Sequence, residues 1–594
     1  MIVNASLNQA RICTLKAVTL TMHYEDILHK IGHFGKYQKF LVIVVSMTQL
    51  PGACQFLAQV FLAADTDHWC LIPASQAVNC SLLQLDSVSA CQEAQKNQSI
   101  PYELDSQGSR VYSSCERYVF EDEEDGDQTT NSTDVIDCDA GWDFDRLRYK
   151  STINEEFRLV CEREDFVGLA QSVWFAGVLT GSLVWGSVGD WLGRRKTFIL
   201  SLIFVSISSI ATTFAPNFLA YMALRFVTAA CAYGIMLIIS ILPTEIVGPK
   251  DRVKVGTVSA IFFALGYLLL SFCAYFIRDW RHLQLVISLP YLLCFLMLII
   301  LPESPRWLIS KGRFKEAKKI ITKIAKVNGT KVPDNLLGTL ESLREEDEKS
   351  SPVRRTTILD LFRTPNIRKK TLIMFYAWFV ASMVYYGLSL STSSLGIDDY
   401  VAAFVSGALE IPSYLMCWFV MEKYGRRFTM FAFFMFGGLF CLATIFVPLG
   451  AGRVAVAMTG KFAITAAFNH IYIYTCEIHP TVVRSIGLGA SSMAARVSGV
   501  LCPIILILGK YWQPLPLCVF GGSSVLAGML SLMLPETLGR DMPDTLQDGE
   551  KVAMGWSPGC CKTDSFDSSD SSKLPADFLL LSSTDKSTTE PAVV

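Results

Sequence analysis

The chain has 594 residues, of which 51% are hydrophobic and 18% charged, with a formal net charge of −2 and a mean hydropathy of +0.37. A water-soluble globule of this length needs far more polar surface, so the composition excludes a soluble enzyme or scaffold and places the chain in a bilayer. The small net charge hides a strong local asymmetry and leaves no general basic surface for nucleic acid.

Residues 1–40 read as a cytoplasmic N-terminus. The first 22 contain Arg11 and Lys16 and no long apolar run before a small-residue site, so no cleavable signal peptide is expected. A first apolar run at 41–63 is long enough to cross a hydrocarbon core of about 30 Å. A polar loop at 64–165 follows, too long for a plain connector and expected to be a small extracellular cap. It holds Cys70, Cys80, Cys91, Cys115, Cys138 and Cys161, an even set that suggests three disulfides of open connectivity, with sequons at Asn79, Asn97 and Asn131 and an acidic run from Glu121 to Asp127. Asn79 is the weakest acceptor, its middle residue being Cys80, and the sequon at Asn328 lies among cytoplasmic lysines and is expected to stay bare.

Further apolar runs at 167–188, 198–214, 218–240, 256–276 and 283–301 complete a first half, 41–301. A Lys/Arg-rich stretch forms a linker at 302–370, and runs at 371–391, 400–420, 428–448, 454–475, 485–508 and 515–534 make a second half, 371–534. The expected fold is therefore an all-α membrane protein of twelve transmembrane helices with both termini on one side. The segments carrying Arg194, Arg195, Lys196, Arg252, Lys423, Arg426, Arg427 and Arg484 are cytoplasmic by the positive-inside bias. Residues 535–594 form a cytoplasmic tail, rich in Ser, Thr and Asp and disordered from about 549. Cys560 and Cys561 are palmitoylation candidates, and the ending Ala592-Val593-Val594 is a weak candidate for a PDZ partner. Most of the remaining cysteines fall in apolar spans, where neutral packing thiols are expected.

The two halves repeat. Gly193-Arg194-Arg195 returns as Gly425-Arg426-Arg427, and Glu245, seven residues before Arg252, returns as Glu477, seven before Arg484. Pro302-Glu303-Ser304 is echoed by Pro535-Glu536-Thr537. Duplicated six-span halves place a substrate site between them at mid-membrane. Glycines in the block Gly186 to Lys196 suit a tight turn, and Asp190, Arg194, Glu245, Arg252, Arg426, Glu477 and Arg484 are candidate gate charges, whose ion pairs form in one state and break in the other.

On these residues the chain resembles the major facilitator superfamily, whose loop signature is similar to Gly186–Lys196. Pro302-Glu303-Ser304-Pro305-Arg306-Trp307, the cysteine loop, Tyr474-Thr475-Cys476-Glu477, Pro480 to Arg484 and Leu534-Pro535-Glu536-Thr537 resemble the organic cation, carnitine and organic anion transporters of solute carrier family 22. The likeness runs from about Tyr24 to Asp544, with Trp191 departing where an arginine is common. The resemblance implies a major facilitator fold and a plasma-membrane carrier for small organic ions. Organic-cation members carry acidic residues where this chain has Arg496 and Asn469, which points toward the carnitine or anion branches; the anion branch often has a lysine at the position of Tyr414.

Ionisable groups inside spans are functional candidates. Arg496 lies near mid-membrane, about 18 Å along its span, too deep to snorkel; Glu410, Lys461 and Arg225 are also intramembrane. The competing reading is that these charges pair with one another. Helical spacing aligns Lys461, Thr465, Phe468 and Tyr472 on one span and Trp378, Ser382, Tyr385 and Ser389 on another, mixed aromatic and polar faces suited to a cavity. Gln55, Gln59, Tyr267 and Tyr414 are further lining candidates. Arg496 is expected to take a substrate carboxylate, and Glu410 with the aromatic stripe an ammonium group, which suits a zwitterion. No GxxxxGK[ST], HExxH or GxSxG motif occurs, so neither an ATP-driven pump nor an enzyme is expected, and no cofactor or metal is implied. A transporter-like receptor and an organic cation carrier are the alternatives. His470 is expected to be a packing residue.

Overall fold

The computed structural model describes residues 24–72, 88–104, 110–118, 135–248, 251–332, 336, 338, 340–341, 357–391, 396–480, 482–540, 542–543 and 545–551, all within one compact unit, Met1–Met554. The expected features at Cys80, Asn79, Asn131, Cys560, Cys561 and the C-terminal tripeptide lie outside the described residues, as does the Cys91 side chain.

The first half holds α1 (Lys36–Leu62), α2 (Asp165–Leu192), α3 (Arg194–Thr212), α4 (Phe218–Ile246), α5 (Arg252–Phe276) and α6 (Trp280–Ile299). Two short amphipathic helices follow, α7 (Pro305–Ser310) and α8 (Phe314–Asn328). The second half holds α9 (Pro365–Leu390), α10 (Asp399–Tyr424), α11 (Arg426–Phe446), α12 (Ala451–Ile478), α13 (Arg484–Ile507) and α14 (Leu515–Ser531). Among the described residues, ten helical stretches are long and apolar enough to cross a membrane. The shorter α14 is apolar too, whereas α12 is 28 residues long but carries Arg453, Lys461, His470 and Glu477.

Local chemistry explains the irregularities. Asp279 caps α6 by accepting from Arg281 and His282, but Pro290 supplies no N–H, and the helix restarts at Pro290 and tightens to a 3-10 turn over Cys294–Ile299. In α10 the regular helix breaks at Leu409, just before Glu410 and Pro412. The repeated glycines are needed where α2 meets α3 and α10 meets α11. Gly193 has φ +93° and Gly425 φ +85°, and a Cβ on either would lie 2.6 Å from Glu303 or Glu536 respectively.

Each half buries its own core, the first around Trp174, Phe175, Tyr221, Tyr267 and Trp280, the second around Trp378, Tyr385, Phe434, Tyr474 and Phe520. Between the halves, α2 packs along α13 and α5 along α10. The loop between α1 and α2 contains three two-stranded antiparallel ribbons: β1 (His68–Cys70) with β6 (Trp142–Phe144), β2 (Tyr102–Leu104) with β3 (Arg110–Tyr112), and β4 (Glu116–Tyr118) with β5 (Val135–Asp137). Disulfides Cys70–Cys138 and Cys115–Cys161 staple the ribbons to each other and to the start of α2. Arg117 grips Asp139 with two nitrogens at 2.8 and 2.9 Å, and that charge-assisted bond holds the Asp139 carboxyl down to about 2.

Asn328 of the fourth sequon ends α8 as a clasp. Its amide donates to Ile31 O and Gln38 Oε1, both at 2.9 Å, while Tyr37 N donates to its Oδ1 at 3.0 Å.

Candidate functional site

Arg496 sits halfway along α13, where α2, α4, α9 and α12 converge. Its guanidinium donates to the Tyr233 hydroxyl at 2.5 Å and to Ser492 O one turn back, and lies 4.8 Å from the Tyr233 ring. It is partly exposed, its Nε has no partner, and no carboxylate pairs with it among the described residues.

Aromatic side chains from both halves wall this region. Tyr472, 40% exposed, meets Trp378 edge-on at 4.3 Å, and Phe468 touches Trp378, Tyr385 and Tyr472 at 5.7–6.0 Å. Tyr386 stands beside Tyr385 at 5.1 Å and takes Phe175 of the first half edge-on at 4.6 Å. The helical spacing thus brings the two expected stripes face to face, because seven residues return a side chain to the same face of a helix. Ser382 donates to Ala495 O at 2.7 Å and ties α9 to α13 beside Arg496. Tyr233, Phe175 and Tyr386 were not among the expected residues. Tyr386 had a signal in its adjacency to Tyr385; the first two come from the opposite half, and nothing in the periodicity of α2 or α4 marks them.

Glu410 and Lys461 are each 1% exposed and pair at 3.3 Å. Glu410 also accepts from the Tyr385 hydroxyl at 2.7 Å and the Tyr414 hydroxyl at 3.2 Å, so both of its oxygens are occupied. Lys461 donates to the Ser406 hydroxyl and lies 4.9 Å from the ring of Tyr267 across the half boundary. Lys461 here compensates the carboxylate expected to hold an ammonium. Gln55 is also placed differently from expectation. It is fully buried in the first half, where its carbonyl and Oε1 accept from Arg225 at 3.3 Å and its Nε2 meets Ser288 at 3.1 Å. Arg225 stacks 4.0 Å from Trp174, so Gln55 and Arg225 form a buried polar core within the first half. Asn469 is partly exposed beside Phe468, and Thr465 is buried with its hydroxyl unpartnered.

The repeated charges form two matching networks at the ends of α2–α3 and α10–α11. Arg194 binds Glu245 at 2.8 Å and Asp190 at 3.0 Å; Arg426 binds Glu477 at 3.1 Å, and Thr537 donates to Glu477 at 2.5 Å. Glu303 accepts from Arg194 N at 2.7 Å, and Glu536 from Arg426 N at 2.8 Å and Arg427 N at 3.0 Å, so a carboxylate sits on the first turn of α3 and of α11. Arg252 donates to Thr244 O at 3.3 Å and Arg484 to His479 O at 3.4 Å. All of these bonds stay within one half. The roles of Glu303 and Glu536 escaped the sequence reading although their repeated motif was visible, because capping contacts some 110 residues away leave no local pattern. His470 bonds Arg426 O at 2.9 Å inside the second half, a packing position.

Comparison with known proteins agrees with this architecture. The family described as "Sugar (and other) transporter" matches residues 125–545. The chain is 39% identical over 536 residues to the organic cation transporter protein of Drosophila melanogaster, covering 89% of this chain and 95% of that one. It is 36% identical over 561 residues to the Drosophila melanogaster beta-alanine transporter (91% of each) and 35% identical over 541 residues to human organic cation/carnitine transporter 2 (89% and 94%). Among solved structures, the proton:xylose symporter XylE bound to 6-bromo-6-deoxy-D-glucose superposes with a TM-score of 0.51 at 19% identity, covering 67% of this chain and 92% of that one. The full-length matches and the duplicated helical halves agree: the chain is a transporter, not an enzyme, and it belongs to solute carrier family 22 of the major facilitator superfamily.

Proposed function

We propose that this transporter moves small organic zwitterions of the carnitine type, or organic anions, across the plasma membrane by alternating access between its halves. The observation that carries the reading is Arg496, a cation at mid-membrane with no acidic partner among the described residues and an unused Nε, walled by Tyr233 and Phe175 on one side and Trp378, Tyr386, Phe468 and Tyr472 on the other. A substrate carboxylate supplies the missing counter-charge in a medium that screens charge poorly. With Glu410 held by Lys461, a quaternary ammonium falls to the aromatic faces by cation–π attraction. The relatives named for beta-alanine and carnitine handle molecules that combine a carboxylate with a cationic nitrogen, which supports the same class here. The relatives named for organic cations, the cation/carnitine transporter among them, favour a second reading, in which Glu410 leaves Lys461 and takes the cation itself. A competition panel separates the two: labelled uptake challenged with carnitine-like zwitterions, aromatic carboxylates and permanent cations, with and without a sodium gradient. Competition by permanent cations alone would favour the second.

In this reading α12 and α14 join the ten apolar helices named above to make twelve spans, the segments before α1 and after α14 are cytoplasmic, and the cysteine loop is extracellular. At Asn97 the Arg110 guanidinium and the Tyr112 hydroxyl, the latter at 2.6 Å, both donate to Oδ1. Glycosidase treatment of the protein from cultured cells is expected to speed its migration, and replacing Asn97 and Asn131 together to remove the shift. An unshifted wild-type band, beside a control protein that shifts, would contradict the topology.

The paired cytoplasmic networks serve the inner gate. Glu477→Gln weakens its bonds to Arg426 and Thr537 far from the substrate. It is expected to lower the maximal uptake rate by about threefold or more without reordering substrates. A changed ranking at normal surface abundance and unchanged maximal rate would refute the assignment.

A further inference from the structure

The loop between α1 and α2 does more than cover the outer end of the first half. Its last segment, residues 148–156, is welded to that half. Lys150 N donates to Arg278 O at 2.9 Å, Trp280 N to Ser151 O at 3.2 Å, and the Trp280 indole to Glu156 at 2.7 Å. Asn154 donates to Ala63 O at 3.2 Å at the end of α1. The same segment reaches across to the second half, at the first turn of α10. Arg148 spans two adjacent carboxylates, Asp398 at 3.1 Å and Asp399 at 3.3 Å, and the Tyr149 hydroxyl donates to Asp399 at 3.0 Å. Tyr400 donates back to Arg148 O at 3.4 Å and stacks on Phe61 of α1, with centroids 5.6 Å apart and planes 8° from parallel. Tyr149, Asp399 and Tyr400 are only 3–5% exposed, whereas the Arg148 and Asp398 side chains at the rim are 45% and 44% exposed.

Contacts between the halves gather toward this end of the molecule. Lys510, just past α13, pairs with Glu164 at 3.1 Å and Asp165 at 2.5 Å at the start of α2. Ser172 donates to Val500 O at 3.0 Å, and a Cβ on Gly168 would lie 2.6 Å from Ile507. Farther along the same two helices the fit relaxes: a Cβ on Gly186 of α2 or Gly489 of α13 would meet nothing within 4 Å. The halves are closed at the loop end and looser beyond the middle.

We propose that Arg148 and Tyr149, carried by the disulfide-stapled loop, form an outer-gate latch on Asp398 and Asp399 that must release each time the entrance on the loop side opens. The two carboxylates are adjacent on one helix end and repel each other, and Asp398 already caps that helix by accepting from Tyr400 N at 2.9 Å. Arg148 supplies the positive charge that both carboxylates face at the junction. Its bonds exist only while the halves meet there, so their strength sets the balance between closed and open and hence the turnover, not the choice of substrate. The Cys70–Cys138 and Cys115–Cys161 bridges hold the loop that carries the latch, which gives them a role in gating as well as in folding.

The latch rests on the alternating-access reading, and the labelling arm of its test needs no substrate. A Ser172→Cys protein places a thiol at a site that is 4% exposed in the closed junction and comes into water when the loop side opens. Labelling by a membrane-impermeant thiol reagent added from the loop side is expected to be slow in this parent. Added Arg148→Ala should speed it by about three- to tenfold, the effect of losing one solvent-screened ion pair and one half-buried one, and Arg148→Lys should restore part of the slow rate. Tyr149→Phe, which removes one hydroxyl, should speed it less and covers the case in which Arg148→Ala does not reach the surface. Maximal uptake should change with the order of competing substrates preserved. Labelling rates and maximal uptake both unaltered by Tyr149→Phe, and by Arg148→Ala where it reaches the surface, would overturn the latch. Absent uptake by a parent with the expected labelling pattern would count against the transport reading alone.

Discussion

Replacing Arg496 by alanine is expected to weaken apparent affinity for carboxylate substrates by about thirtyfold or more at matched surface abundance, the equivalent of at least about 2 kcal/mol for losing one side of a desolvated charge pair. The effect should be large because the guanidinium has no protein carboxylate to fall back on among the described residues. Its present partners are a tyrosine hydroxyl at 2.5 Å and a carbonyl one turn back on its own helix. Arg496→Lys keeps the charge but loses the planar fork, so it should reach the surface and bind carboxylates more weakly than wild type. Arg496→Asp should shift preference toward cations. Kinetic uptake of one zwitterion and one permanent cation across the three variants checks all of this. Unchanged carboxylate affinity in Arg496→Ala would leave Arg496 a packing residue held by Tyr233.

The second large effect concerns stability. Glu410→Gln is expected to destabilise the second half by roughly 3–5 kcal/mol, because Lys461, 1% exposed, would lose its counter-charge and keep only Ser406 and the faces of Tyr267 and Tyr385 around it. Removing both charges in Glu410→Gln with Lys461→Met should recover most of the loss, since a buried pair replaced together by uncharged groups of similar size is often neutral. Thermal unfolding of the purified variants in detergent measures the coupling. A Glu410→Gln protein as stable as wild type, with its cation uptake abolished, would instead favour the reading in which Glu410 is a binding carboxylate.

The architecture was legible because two patterns carry it: apolar runs of bilayer length, and a charged block repeated at one offset. The run expected at 454–475 is realised as Ala451–Ile478 despite its charges, and the one at 485–508 as Arg484–Ile507. The main departure is α6, expected as one run at 283–301 and broken at Pro290, where hydropathy is blind to a missing backbone donor. At the site, periodicity found the Trp378–Tyr385 and Phe468–Tyr472 stripes, because each lies within a single helix. It did not find what faces them. Tyr233 is 263 residues from Arg496, and Arg148 is 250 and 251 from Asp398 and Asp399. No local pattern encodes a partner in the other half. The Glu410–Lys461 pair sits between these cases: both charges stood out, and their pairing was one of two readings until the geometry placed them 3.3 Å apart. Gln55 stood out as a polar residue on an apolar span, and the geometry places it, fully buried, against Arg225.

Flux in purified, reconstituted vesicles tests the central claim most directly, using a labelled carnitine-like zwitterion challenged with its own methyl ester, which keeps the ammonium and loses the carboxylate charge. The account predicts saturable uptake that unlabelled zwitterion and simple carboxylates inhibit and the ester inhibits at least tenfold less well. Inhibition by the ester as strong as by the parent zwitterion, or saturable binding with no flux, would contradict it.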